Sequence, residues 1–355
     1  MTDVHPTDAG VVVRTEHSLG RLTLDRPAAI NALDVHMIRA LRAALDAWRG
    51  DADIDTVLLD GAGDRGLCAG GDVRALYASI VAGRADEVGV FFREEYALNA
   101  AIDEYPAPIV AFADGITMGG GIGLAGHAAV RIVTERSRLA MPETRIGFTP
   151  DVGGSYLLSR APGRLGEYLA LTGDTMSASD AIHAGFADHF VPSAHLDAIR
   201  DALVTRADPS GPAELVLLFD ETPEASELAA KQPWIDATFD ADTVPGIIAK
   251  LRAVGEPEAS ALADRLTHAA PTALAVTLEA VRRARELPTL RAVLEQEYRL
   301  VLWFAHTQPD MVEGIRAQLV DKDRDPHWNP ATHDGVTPDT IAAAFSYEPA
   351  VPLWS

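Results

Sequence analysis

A chain of 355 residues, 48% hydrophobic and 23% charged, has the composition of a globular protein long enough for a large core, or for one core and an extension. Its formal net charge of -22 argues against nucleic acid and against docking on anionic lipid, which need a dense cationic face, but leaves room for a small anionic ligand held by local dipoles and a few Arg or Lys. A single cysteine, Cys68, excludes an intrachain disulfide and is more simply a small buried side chain than a nucleophile. The segment Met1 to Gly10 carries acids and a proline where a signal peptide would be basic and then apolar. No uncharged apolar run reaches the roughly 18 residues of a membrane span, so a cytoplasmic enzyme is expected.

Val11-Val12-Val13 and Arg21-Leu22-Thr23-Leu24 read as a hairpin turning at Ser18-Leu19-Gly20. Ile38, Leu41, Leu45 and Trp48 share one face of a helix expected over 31–48, closed by Gly50. A short buried strand over 55–59 runs into the glycine-rich turn Gly61 to Gly71, and a helix starts near Asp72, placed as its cap. A second helix covers about 87–104. Residues 108–112 form the next buried strand, which feeds Met118-Gly119-Gly120-Gly121 and a small-residue helix ending near Gly126; Val130 to Val133 is a further strand.

The order strand, glycine loop, helix thus occurs twice by Gly126. It predicts a winding α/β core whose loops build a site at one end of the sheets. From about Asp208 strands disappear. Residues 212–268 read as loops and short helices, 273–286 and 289–306 as long helices, and 321–355 as an extended tail rich in Pro, Asp and His. The expected division is a core over 1–207 carrying the active site and a mainly helical region over 208–355.

Three segments concentrate chemistry. Leu67-Cys68-Ala69-Gly70-Gly71-Asp72 and Met118-Gly119-Gly120-Gly121-Ile122-Gly123 each place glycines before a helix start, where backbone N–H groups can face a ligand. Neither fits a P-loop or a dinucleotide fingerprint. Two such loops could aim one N–H each at a single carbonyl oxygen, and close helix–sheet packing is the plainer alternative for the second. The third segment, Met141 to Gly154, holds Glu143 and Asp151, each directly after a proline. Stiff backbone before an acid suits a preorganised acid or base, and equally suits a turn residue or a helix cap.

Arg26-Pro27, Asn31-Ala32-Leu33, Cys68 to Asp72, Gly119-Gly120-Gly121 and Pro142-Glu143 resemble the ordered landmarks of the crotonase (enoyl-CoA hydratase/isomerase) superfamily. Phe92 to Tyr96, Ile116 to Gly121, Ala140 to Thr144, Pro150 to Gly154, Glu297 to Leu300, Glu313 to Ala317, Asp321 to Asp323 and Pro326 to Pro330 resemble its 3-hydroxyisobutyryl-CoA hydrolase branch. The resemblance covers nearly the whole chain; its motifs are specific as a set and weak singly.

The resemblance implies a crotonase-like α/β spiral of repeated ββα units with a helical C-terminal region. It implies hydrolysis of a short 3-hydroxyacyl-CoA thioester, in valine breakdown, with no cofactor beyond the coenzyme A of the substrate. It makes Gly71 and Gly120 the oxyanion donors, Glu143 the principal catalytic carboxylate, Asp151 a second acid near the acyl group and Glu95 a substrate-contacting acid. Arg26, Arg65, Arg74 and Lys322 are candidates for the coenzyme A phosphates. The eleven His show no convincing metal-ligand pairing, so no metal is expected. Relatives of this kind form trimers or hexamers, so a homo-oligomer is possible.

Hydratases carry a second catalytic Glu where this chain has Gly123. That departure favours hydrolysis over hydration. Other crotonase chemistry is the nearer rival, and a non-catalytic acyl-CoA-binding protein is the rival from another class.

Overall fold

A computed structural model describes residues 3–6, 9–205 and 211–354. The chain packs as two compact units, one of residues 1–71, 94–140 and 175–226 and one of residues 72–93, 141–174 and 227–355. This differs from a single cut at residue 207. The segments 72–93 and 141–174 contribute helices that bury their apolar faces among the C-terminal helices, so the chain passes between the units several times.

Among the described residues the first unit holds all the strands: β1 (Asp3–Pro6), β2 (Val11–Glu16), β3 (Leu19–Leu24), β4 (Thr56–Gly61), β5 (Ile109–Phe112), β6 (Ile116–Met118), β7 (Val130–Val133), β8 (Arg138–Ala140) and β9 (His189–Phe190). Seven form one sheet in the order β1-β2-β3-β4-β5-β7-β9, antiparallel from β1 to β3 and parallel beyond. β6 and β8 pair in parallel as a second, small sheet, with Thr117 opposite Leu139. The hairpin expected over 11–24 is therefore present, and β1 and the small sheet add to it.

Successive turns of the chain repeat one course. β4 leads to Cys68, which bridges in parallel to Thr117. β5 leads to β6, and β7 leads to β8. Each turn leaves one strand in the large sheet and one short pairing beside it, and the course after β6 enters the helix Gly120–Ala125. Leu58, Val110, Phe112, Val130, Ile132 and Val191 pack against Leu196, Ile199 and Leu203 of the helix Leu196–Thr205. Both faces of the parallel strands are covered, which is why they read as continuous apolar runs.

The helix expected from Asn31 begins at Val35 and ends at Trp48, because Asp34 accepts from Met37 N at 2.9 Å and caps it. Asn31, fully buried at φ +53°, does another job. Its side chain accepts from Arg26 N at 2.9 Å and donates to Ala62 O at 3.1 Å and Gly66 O at 3.2 Å. It ties the end of β3 to the loop after β4.

The second unit is helical among its described residues. The region expected to be loops and short helices holds Glu227–Phe239, Val244–Val254 and Pro257–Thr267. Pro245 and Pro257 lie in the first turn of their helices, where a missing N–H costs nothing. The expected long helices run over Pro271–Ala284 and Leu290–Thr307. The tail, mostly irregular, includes a helix over Pro338–Ser346.

Within this unit Glu167, fully buried, accepts from Arg285 through both oxygens at 2.7 and 2.5 Å and from Arg164 at 2.9 Å. Burial would raise the Glu167 pKa, but the hydrogen bonds and charge of Arg285 outweigh it and hold the carboxyl below the usual range. A depressed carboxylate contributes stability that is present above its unfolded pKa and lost as pH falls through the folded one. Arg285→Ala should therefore lower the unfolding free energy by up to about 3 kcal/mol near neutral pH, with the deficit shrinking on acidification. Urea unfolding at neutral and acid pH measures both, and an unchanged midpoint would contradict the pairing.

Candidate active site

In the first unit the two glycine turns lie side by side. Cys68 N donates to Ile116 O at 3.1 Å and Met118 N to Cys68 O at 3.0 Å, so the turn after β4 runs along β6. Leu33 N donates to Gly70 O at 2.9 Å and Ala69 N to Ile30 O at 2.9 Å, fixing the same turn from its other edge. A Cβ on Gly120 would lie 2.7 Å from Glu95 Oε1, 3.2 Å from Leu33 Cδ1 and 3.3 Å from Gly71 N. The space beside Gly120 therefore faces the Gly71 amide and the Glu95 carboxyl together. Among the described residues, neither the Gly71 nor the Gly120 amide donates to a backbone carbonyl. Two such amides on adjoining turns are groups of the kind that can stabilise a developing oxyanion.

Glu95 is 1% exposed on the helix Ala85–Asp103. Its neighbour Glu94 instead turns to the surface and meets Arg39 through two hydrogen bonds of 2.7 Å. Adjacent helical residues point about 100° apart, and only Glu95 reaches the glycine turns. Cys68 is fully buried; burial pushes its thiol up to about 12, Gly70 hydrogen bonding pulls it back, and the Glu95 charge adds to the rise. It stays a thiol and packs beneath the turn, the plainer of the two readings of this residue.

Glu143 and Asp151 lie in the second unit, 7% and 6% exposed. Glu143 opens a short 3-10 turn over Glu143–Ile146. The turn is gripped on two sides. Thr144 Oγ1 donates to Ala170 O at 3.2 Å, and Arg145 donates to Thr172 O at 3.1 Å and Asp174 at 3.0 Å. On the other side Gly147, at φ +68°, closes the turn so tightly that a Cβ would fall 2.3 Å from Asp310 O. Phe148 then enters the aromatic cluster with Phe92 at 5.9 Å and Phe304 at 5.7 Å between ring centroids.

The Asp151 turn is held by a residue that has no role in the sequence reading above. Glu297, fully buried on the helix Leu290–Thr307, accepts from Gly153 N at 2.7 Å and from Ser155 N at 2.8 Å. Burial pushes its carboxyl up to about 8; the Ser155 amide lowers it, the Asp151 charge raises it, and the Gly153 amide lowers it. A signal was present. Leu290, Val293, Leu294 and Val301 line one face of that helix, and Glu297 sits on the same apolar face.

The expected phosphate-binding cations fall in both units. Arg26 pairs with Asp34 at 3.2 Å and donates to Ala32 O at 2.7 Å, and Arg65 donates to Pro27 O and Ala28 O. Arg74 donates to Leu319 O at 2.9 Å, three residues before Lys322. Arg74 and the Lys322 segment are thus brought near one another within the second unit. No helix among the described residues is long and apolar enough to cross a membrane.

The family model for enoyl-CoA hydratase/isomerase matches residues 19–345. The chain belongs to the enoyl-CoA hydratase/isomerase family. It is 40% identical to a zebrafish (Danio rerio) protein named 3-hydroxyisobutyryl-CoA hydrolase, mitochondrial, over 92% of this chain and 87% of that one. The human (Homo sapiens) protein of that name is 38% identical over 96% of this chain and 89% of its own.

A solved carnitinyl-CoA dehydratase from Mycobacterium thermoresistibile superposes with a TM-score of 0.91 at 47% identity, covering 97% of this chain and 98% of that one. A solved enoyl-CoA hydratase from Rhodobacter sphaeroides 2.4.1 gives 0.88 at 42% identity, covering 95% and 97%. The crotonase-like fold expected from the sequence is therefore the observed one. The mitochondrial label of the hydrolase relatives gives no support to a cytoplasmic location.

Gly120→Ala places a methyl group in the space that faces the Gly71 amide. The variant is expected to stay folded, because the Glu95 carboxyl can swing aside, and to lose about 100-fold or more in kcat. Steady-state kinetics on a thioester measures this, and near-native turnover would remove Gly120 from the chemistry.

Proposed function

We propose that this protein hydrolyses the thioester of a short 3-hydroxyacyl-CoA, of the 3-hydroxyisobutyryl-CoA type, to free acid and coenzyme A. The observation that carries the proposal is the close approach of Gly120 to the Gly71 amide nitrogen beside the buried Glu95. The substrate class comes from the hydrolase relatives, about 40% identical over most of the chain. Valine breakdown is the setting consistent with their name.

In this reading the carbonyl oxygen of the thioester lies between the Gly71 and Gly120 N–H groups. As the carbonyl carbon becomes tetrahedral, charge grows on that oxygen, and each well-aimed donor lowers the barrier by about 3 kcal/mol. Glu143 supplies the negative group for attack, as general base on water or as a nucleophile forming a mixed anhydride. The C–S bond breaks as the tetrahedral centre collapses. One water is consumed, its oxygen is retained by the acid and a proton reaches the coenzyme A thiolate. Asp151 holds the 3-hydroxyl or shares the proton transfers with Glu143. Glu95 borders the acyl end, and Arg26, Arg65, Arg74 and Lys322 are assigned to the phosphates.

The two solved relatives, named a dehydratase and a hydratase, favour a second reading, addition or removal of water across a carbon–carbon double bond. Against it stands Gly123, buried in the helix Gly120–Ala125, where that chemistry would want its second carboxylate.

The two readings separate in one panel. Thiol release from 3-hydroxyacyl, branched acyl and enoyl-CoA substrates is followed beside loss of enoyl absorbance. The proposal expects thiol release, greatest on short 3-hydroxyacyl-CoA, and would fail if hydration were the only turnover. Glu143→Ala should abolish thiol release while leaving acyl-CoA binding within several-fold. Asp151→Asn should impair 3-hydroxyacyl substrates more than plain acyl ones; equal loss on both would remove Asp151 from reading the hydroxyl.

A further inference from the structure

We propose that Glu297 is a positioning residue for Asp151, acting through the turn that joins Asp151 to the helix Gly154–Arg160. The inference rests on the reading that gives Asp151 a part in the reaction, and concerns the second unit alone.

The turn has an unfavourable backbone. Val152 and Gly153 follow Asp151 at φ +53° and +78°, and a β-branched residue in the left-handed region is strained. Such a conformation persists when its surroundings over-determine it. Gly154 N donates to Asp151 O at 2.6 Å, which closes the turn internally. The flanking amides, Gly153 N and Ser155 N, both go to the carboxyl of Glu297, one to each oxygen. A single side chain therefore clamps the turn from both ends, and it comes from a helix more than a hundred residues further along the chain.

A cap alone does not require such a group. Helix starts are ordinarily capped by a local Ser, Thr, Asp or Asn at the surface. Here the acid is fully buried and within electrostatic reach of Asp151, the charged group that acts on it. Burial and the Asp151 charge favour the protonated form, which places the Glu297 carboxyl near about 8. Below that pH the Glu297 carboxyl is neutral. Above it a negative charge appears beside Asp151 and opposes charge growing on the substrate. The expected consequence is a fall in kcat as pH rises through about 8, in addition to any limb from Glu143.

The test is Glu297→Gln, whose amide keeps one acceptor but presents N–H groups to the other donor. Hydrolysis of a short 3-hydroxyacyl-CoA is measured across pH, with the variant alone and combined with Asp151→Asn. The expected results are a kcat loss of about 10-fold or more, a KM within about 2-fold, and disappearance of the limb near 8. The double variant should be no slower than Asp151→Asn alone, because the two residues act as one unit.

Independent, multiplying losses or an unchanged pH profile would overturn the inference. An Asp151→Asn enzyme of native activity would instead defeat the reading on which it rests, and the two failures are thereby distinct. Should Glu297→Gln not fold, Ser155→Pro removes one donor in the first helical turn and leaves the carboxyl in place. It carries the same expected loss of kcat, and native turnover in it would overturn the inference equally.

Discussion

The close approach of two backbone turns is the constraint on which the rest depends. The turn after β4 and the turn after β6 meet with so little space that Gly120 can carry no Cβ without pressing on Glu95, Leu33 and the Gly71 amide. A side chain at position 120 would crowd this approach. The repeated course of the chain produces this approach. Each turn of the spiral lays its second pairing beside the last, Cys68 against Thr117 and Thr117 against Leu139, and brings successive loops to the same side. Asn31 and Leu33 then tie the first of these loops down. In the proposed reaction these backbone groups are held in place before any ligand arrives, the condition under which such donors lower a barrier instead of merely binding.

The helical unit solves a different problem. Glu143 and Asp151 sit on irregular segments, and irregular segments hold side chains in place only when something else fixes them. The Glu143 turn is fixed by carbonyls of residues 170–172 and by the backbone at Asp310. The Asp151 turn is fixed by Glu297, and Thr149 just before it accepts from Thr277 Oγ1 at 2.9 Å. The C-terminal helices are thus the support of the two acids. The units are interleaved in sequence for the same reason: the acids belong by packing to the helices, although they are encoded between strands.

Much of this was legible in the sequence. Continuous apolar runs marked β4, β5 and β7, helical spacing marked the helix ending at Trp48, and glycines before helix starts marked both amide-bearing turns. The small sheet was not legible, because Ile116–Met118 and Arg138–Ala140 are three-residue strands that exist only through their parallel neighbours. The helices between 227 and 267 were hidden by prolines that begin two of them and lie inside a third. The division into units was illegible because it depends on which helices share a core, a property of packing at long sequence separation. Glu143 and Asp151 stood out as acids directly after prolines, with a turn or cap reading equally open; their roles, and Glu95 itself, came from the resemblance, and their burial was not legible. Glu297 was visible only as an acid on an apolar helix face, since the amides it meets lie 142 and 144 residues earlier.

The most direct test of the central claim is a crystal structure with a non-hydrolysable 3-hydroxyacyl-CoA analogue. The account requires the carbonyl oxygen of the analogue within about 2.7–3.1 Å of both Gly71 N and Gly120 N. A carbonyl held elsewhere, or held by one of the two amides alone, would contradict it.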